Sequence, residues 1–163
     1  MDDRAASRWC VAAAGAAAWC AVFAALHLFW GVGGTAGLAS AAGPKLAERR
    51  PAVFVVFGLY GVAVVLVAGI ALVMVASGGI ASQRVSRVAG VVLAIIGAVL
   101  VIRGVGLEVL LATDTAGLRT AVGRLGTRWS LVLWNPWFAI GGALFLWTAI
   151  RAARVRRRLS SSQ

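Results

Sequence analysis

Six side chains in this sequence carry polar chemistry into stretches that are otherwise apolar: His27, Tyr60, Arg103, Glu108, Asn135 and Trp137. His27 and Glu108 are the candidate catalytic pair, because an imidazole and a carboxyl group are suited to accept and return protons near neutral pH. Such a pair works only if its members approach to within a water-bridged hydrogen bond. Arg103 offers binding chemistry instead. A guanidinium lying about 12 Å short of its helix end is costly in hydrocarbon unless it is paired or hydrated. Its candidate acceptors are Asn135, a backbone carbonyl released by Pro136, and the anionic or carbonyl group of a ligand, while the competing reading is that it snorkels up to the headgroups. Glu108 is five residues further on and on a rather different helix face, so a direct ion pair along the helix is disfavoured. Tyr60 reads as a core residue with its hydroxyl paired inside the bundle. Trp137 points deeper than the other tryptophans and is a candidate pocket wall.

Metal and disulfide chemistry have little to build on. His27 is the single histidine, with no nitrogen, sulfur or carboxylate partner at ligand spacing, so it reads as a structural hydrogen-bonding group, and no metal or cofactor is expected. Cys10 and Cys20 are about 15 Å apart along one helix and cannot bridge each other.

The elements that position these groups are four apolar runs, Trp9 to Trp30, Ala52 to Ser77, Val88 to Thr113 and Ser130 to Ile150. Each reaches the roughly 20 residues that a helix needs to cross hydrocarbon. With 61% hydrophobic residues and a mean hydropathy of +0.93, the chain is too apolar for a water-soluble domain. The fold predicted is all-α, a polytopic membrane protein formed by one bundle of four transmembrane helices, spanning about 9–31, 52–77, 88–113 and 130–150, followed by a basic tail at 151–163. A small-residue site at Ala39 and Ala41 resembles a signal-peptide cleavage site, but the first run is longer than a signal core, so it is read as a retained helix. Arginine-rich, alanine-rich composition suggests a high-GC bacterial genome.

The net charge of +11 sits at helix ends and in the tails, where it meets lipid headgroups, so the expected partner is the bilayer and not nucleic acid. Arg4, Arg8, Arg84, Arg87, Arg151, Arg154, Arg156, Arg157 and Arg158 lie on the side holding both termini, against Lys45, Arg49, Arg50, Arg119, Arg124 and Arg128 on the other. This excess predicts a cell-membrane protein with both termini cytoplasmic. Threaded that way, His27, Tyr60, Arg103, Glu108 and Asn135 all fall in the outer half of the bilayer.

Local features refine the layout. The alanine tract Ala12 to Ala18 should be buried against a neighbour, since small faces let helix backbones approach in lipid. Gly90, Gly97 and Gly104 recur at sevens and should face a partner helix, with Glu108 continuing their stripe. The glycine-rich connection Val32 to Arg50 is a flexible tether or a lid. Pro51 suits a first helical turn. In the last run, either Asn135 caps a helix starting at Pro136, or the helix starts near Ser130 and Pro136 kinks it, freeing the carbonyl of Val132. Trp30, Trp129 and Trp134 near one interface and Trp9 and Trp147 near the other read as an aromatic belt. The Ser160 to Gln163 end reads as disordered.

The segment from His27 to Gly34, the Arg103-Gly104 pair and the segment from Trp134 to Phe138 resemble the pattern of a bacterial family of small four-helix membrane proteins, domain of unknown function 3995. The resemblance implies a four-helix membrane fold and supplies no activity. A fainter likeness, through Asn135 and Trp137, is to the emopamil-binding and sigma-2-type sterol isomerase fold, whose chemistry wants paired acids where this chain has only Glu108 within a span.

The leading reading is a non-enzymatic protein with a polar pocket in the outer half of the bundle, formed by His27, Tyr60, Arg103, Glu108, Asn135 and Trp137 and holding a lipid or small amphiphile. A second is a membrane enzyme of isomerase type using His27 and Glu108. A third is a structural subunit whose glycine and alanine stripes dock a second copy or another membrane protein. Without inverted repeats or a membrane-centre acid, a proton-coupled transporter is disfavoured.

Overall fold

The computed structural model describes residues 3–77 and 82–160, with side chains described over 11–77 and 82–158. The readings made for Arg4, Arg8, Trp9 and Cys10 and for the 161–163 end lie outside those limits. Helix α1 (Asp3–Gly31) is followed by two short helices, α2 (Leu38–Ala42) and α3 (Pro44–Arg49). A π-helical stretch, Phe54–Gly61, then runs without a break into α4 (Val62–Ala76). Helix α5 (Gln83–Ala112) leads through a short turn to α6 (Leu118–Trp129), which passes through a second π-helical stretch, Ser130–Trp134, into α7 (Asn135–Ser160).

The fold is all-α, and four of its helical segments are long and apolar enough to cross a membrane: Val11–Gly31, Phe54–Ala76, Gln83–Ala112 and Thr115–Arg158. Around the bundle, α1 packs on α4, α4 on α5, α5 on α7 and α7 back on α1. The perimeter is apolar. Val53, Phe57, Val64, Val65 and Ile102 are each more than two thirds exposed, a surface suited to lipid and not to water.

Close backbone approach holds the ring together. On α1 the fully buried residues Ala12, Ala16 and Cys20 fall one turn apart, so one face of the alanine tract is buried as its composition implies, while Ala14 and Ala18 face outward. Cys20 meets α4 at Gly69, where an added Cβ would come within 3.2 Å of its sulfur. The glycine stripe of α5 faces α7. A Cβ at Gly97 would lie 2.8 Å from the carbonyl oxygen of Gly142, and one at Gly104 would lie 2.7 Å from the carbonyl oxygen of Asn135. Backbone therefore lies on backbone at two levels seven residues apart, so dispersion between the two chains is nearly maximal. Gly90, the third member of the stripe, makes room for the guanidinium of Arg156, which donates to the carbonyl of Ser86.

Three boundaries differ from the sequence reading, each for a local reason. Helix α7 continues through 151–160, so the basic segment there is helical and continuous with the last apolar run, and Ser160 is helical. Its buried stripe of Phe145, Thr148, Ala149 and Ala152 carries the helical period beyond the apolar run. Helix α5 starts at Gln83, with the hydroxyl of Ser82 accepting from the N–H of Val85 and the hydroxyl of Ser86 donating to the carbonyl of Val75 on α4. The connection ahead of the last span contains α6, broken at Gly123 by a positive φ of 79°. Arg119 at its start donates to the carbonyls of Leu111 and Ala112 and so caps α5.

Candidate functional site

Trp30 at the end of α1, Phe54 at the start of the second span, Arg103 late in α5 and Trp134 early in the fourth span share one cavity, which requires the four spans to alternate in direction. The cavity holds about 170 Å³ and every span contributes to its wall, with Leu38, Ala41 and Ala42 of α2 as a roof. Among its lining residues, those with polar side chains are His27, Ser130, Arg103 and Trp134.

The roof is an ordered lid. The indole N–H of Trp30 donates to the carbonyl of Ala36 at 2.8 Å, and Leu38 is buried beneath its own helix with 1% exposed. Arg50 reaches back to donate to the carbonyls of Trp30, in the last turn of α1, and of Gly34 just beyond it. Gly37 and Gly43 bracket α2 with φ of 77° and 87°, a conformation that costs glycine little and a larger residue more. Of the two sequence readings, tether or lid, the structure gives the lid.

His27 is 8% exposed and set edge-on between Phe23 and Trp30, with ring centroids 4.5 and 5.2 Å away. Its Nδ1 lies 2.8 Å from the carbonyl oxygen of Phe23. A carbonyl only accepts, so Nδ1 carries the proton and Nε2 is the nitrogen left for the cavity. Arg103 lies with its Cζ 3.8 Å from the centre of the Phe138 ring. A cation over a ring face in a desolvated setting gains about 2 kcal/mol, comparable with the translocon-scale cost of about 2.5–3.5 kcal/mol for a charge at mid-membrane. Phe138, rather than Asn135 or the Val132 carbonyl, is thus the group that Arg103 meets.

The remaining sequence-derived residues lie elsewhere. Asn135 is 2% exposed and helical in its own backbone, so it is not a cap; its Nδ2 donates to Glu108 Oε2 at 3.1 Å. This pair joins α5 to α7 beside Gly104, and neither member lines the cavity. Glu108 does continue the glycine stripe into the bundle, as its position on α5 implies. Tyr60 is 37% exposed, with its ring over Gly31, so it packs against the rim of α1 and not in the core. Trp137 stacks on Trp19, whose indole N–H donates to the Trp137 carbonyl at 3.0 Å, and it does not reach the cavity. Trp19 itself fits into a notch at Gly141 and is the main wedge between α1 and α7. Of the expected belt, Trp129 and Trp147 are 39% exposed, whereas Trp30 and Trp134 are buried.

Sequence reasoning missed Ser130, the wall function of Trp134 and the two π-helical stretches. Both stretches line the cavity, through Phe54, Gly58 and Leu59 on one side and Ser130 and Trp134 on the other. A π turn is wider than an α turn and recurs at functional sites, and here two of them stand at the same depth. Pro136, which cannot donate an N–H into the preceding turn, was the one visible signal, and the second stretch ends directly ahead of it. The indole N–H of Trp134 is buried and has no hydrogen-bond partner, which leaves a strong donor unpaired in the wall.

A family model described as a protein of unknown function, DUF3995, matches residues 20–145. The chain belongs to that family. The match covers the cavity-lining parts of all four spans and the lid between the first two. No curated protein and no solved structure matches the chain.

Proposed function

We propose that this protein binds a lipid or small amphiphile without transforming it, holding the polar head in the lidded cavity with Arg103 against a negative or carbonyl group. The observation that carries the reading is the set of polar side chains around one small space: a guanidinium held on Phe138, Ser130 and His27, with no carboxylate in the wall. Such a wall favours a ligand rich in acceptor oxygens. The charge count supports placing the protein in the cell membrane with both termini cytoplasmic, which puts the cavity in the outer leaflet.

Binding is favoured over catalysis because only His27 of the proposed acid and base lines the cavity, while Glu108 is engaged with Asn135. The assembly reading loses its motivating surface, since the α5 glycine stripe is taken up by α7 and the buried alanine face lies within the bundle. The test is native mass spectrometry of protein released from nanodiscs. Wild type should retain a lipid that Arg103→Ala loses; an unchanged lipid spectrum sinks the reading.

A further inference from the structure

Resting on that reading, we infer that the cavity is loaded sideways from the hydrocarbon, through a gap between the Phe54–Gly61 stretch and α5, and that its ligand is a membrane-dissolved amphiphile with a small anionic head whose tail stays in the lipid. The seam between the second and third spans is uneven. Its lower part is closed, with α4 packed on α5, whereas the π-helical upper part packs on α1 and has at most marginal contact with α5. Arg103 stands at this gap: it lines the cavity and yet is exposed, and its neighbours Val99, Ile102 and Val105 on the same helix are 59%, 71% and 50% exposed on the apolar perimeter. A guanidinium at that position meets an anion arriving within the membrane before the anion reaches Trp134 or Ser130.

The route from water is closed by comparison, because the lid is pinned by Trp30 and Arg50 and seals with Leu38. A space of about 170 Å³ fits a carboxylate or a single phosphate and excludes a glycosylated head. A second, larger cavity of about 490 Å³ lies behind the common wall of Trp30 and Trp134, between Leu26, Leu125 and Leu133. Its lining contains no charged side chain, so it does not hold the head.

The experiment uses full-length protein in phosphatidylcholine nanodiscs doped with one of two lipids carrying a diazirine near the head, a fatty acid or a phosphatidic acid; the two arms separate carboxylate from phosphate. After irradiation, adducts are counted by intact mass and mapped by peptide sequencing. A single saturable adduct is expected on Phe54–Gly58 or Val99–Arg103, falling at least tenfold in Arg103→Ala, partly restored in Arg103→Lys, and indifferent to inorganic phosphate in the water. Saturable adducts on Leu125–Leu133, or competition by inorganic phosphate, overturn lateral entry and leave the cavity as a binding site. Adducts that never saturate, and that are unchanged both in Arg103→Ala and in Ala41→Trp, which fills the cavity from its roof, overturn both readings. Size-exclusion profiles and helicity matching wild type confirm that each variant is folded.

Discussion

Two faces of the third span, at the same level along it, show opposite ways of meeting a neighbour. Along Gly97 and Gly104, α5 lies against α7 backbone to backbone, and an added methyl group would strike carbonyl and amide atoms that cannot move aside. Around Arg103 the same helix faces a cavity, a cation over a ring and a gap toward the second span. Between helices already in lipid there is no hydrophobic gain, so stability must come from close packing and satisfied polar pairs. The first region supplies both, ending in the Asn135 to Glu108 bond. The second leaves a donor unpaired and a space open. Close packing is concentrated on one face of the helix, and the other face is left looser.

The sharpest way to break this contrast is to fill the glycine seam. Gly97→Leu should destabilise the protein by more than the roughly 1–3 kcal/mol typical of overpacking, because the obstruction is backbone, and thermal unfolding in detergent should show it. Gly106→Ala is the control, since its added Cβ meets nothing within 4 Å, and it should be neutral or gain up to about 1 kcal/mol of helix propensity. Arg103→Ala should do the reverse of Gly97→Leu, reducing lipid retention at least tenfold while leaving the unfolding temperature nearly unchanged. A large drop in unfolding temperature without loss of lipid would place Arg103 among the scaffold residues.

Asn135→Ala tests the polar end of the seam. It removes a bond to a carboxylate and leaves that group without its partner, a loss of about 1.5–3 kcal/mol, read by chemical denaturation. Glu108→Gln on its own, which keeps an acceptor oxygen for the Asn135 amide, should lose much less. The smallest effect belongs to the lid. Arg50→Ala should speed amide hydrogen exchange across Thr35–Arg49 with little change in global stability, because it releases two carbonyl acceptors at the end of α1 and disturbs no core side chain.

The spans were legible because they depend on composition and length, and so were the faces of α1 and α5, where small residues recur at helical spacing. The family was legible from the segment His27 to Gly34 with its echoes at Arg103 and Trp134. The candidate site was legible only in part. His27 and Arg103 do share a cavity, but depth along a helix says nothing about azimuth, and azimuth sends Tyr60 to the rim, Trp137 onto Trp19 and Glu108 to Asn135. An unforeseen change of helix type adds to this. Two π stretches shift the register of whatever precedes them, so counting turns at α-helical pitch misplaces the side chains at the upper end of the second and fourth spans.

The stretch from Phe54 to Gly61 has a consequence for how length and shape are linked in this chain. A wide turn holds an additional residue that a standard turn would not need, so taking out one amino acid there would tighten the coil to α-helical pitch and leave the segments on either side facing much as they do now. The part of the wall formed by the stretch itself, at Gly58 and Leu59, would be re-spaced, while the half of the span below would stay in place. A one-residue deletion, usually among the most damaging changes to a transmembrane helix, should here be tolerated by the scaffold and felt chiefly by whatever occupies the chamber.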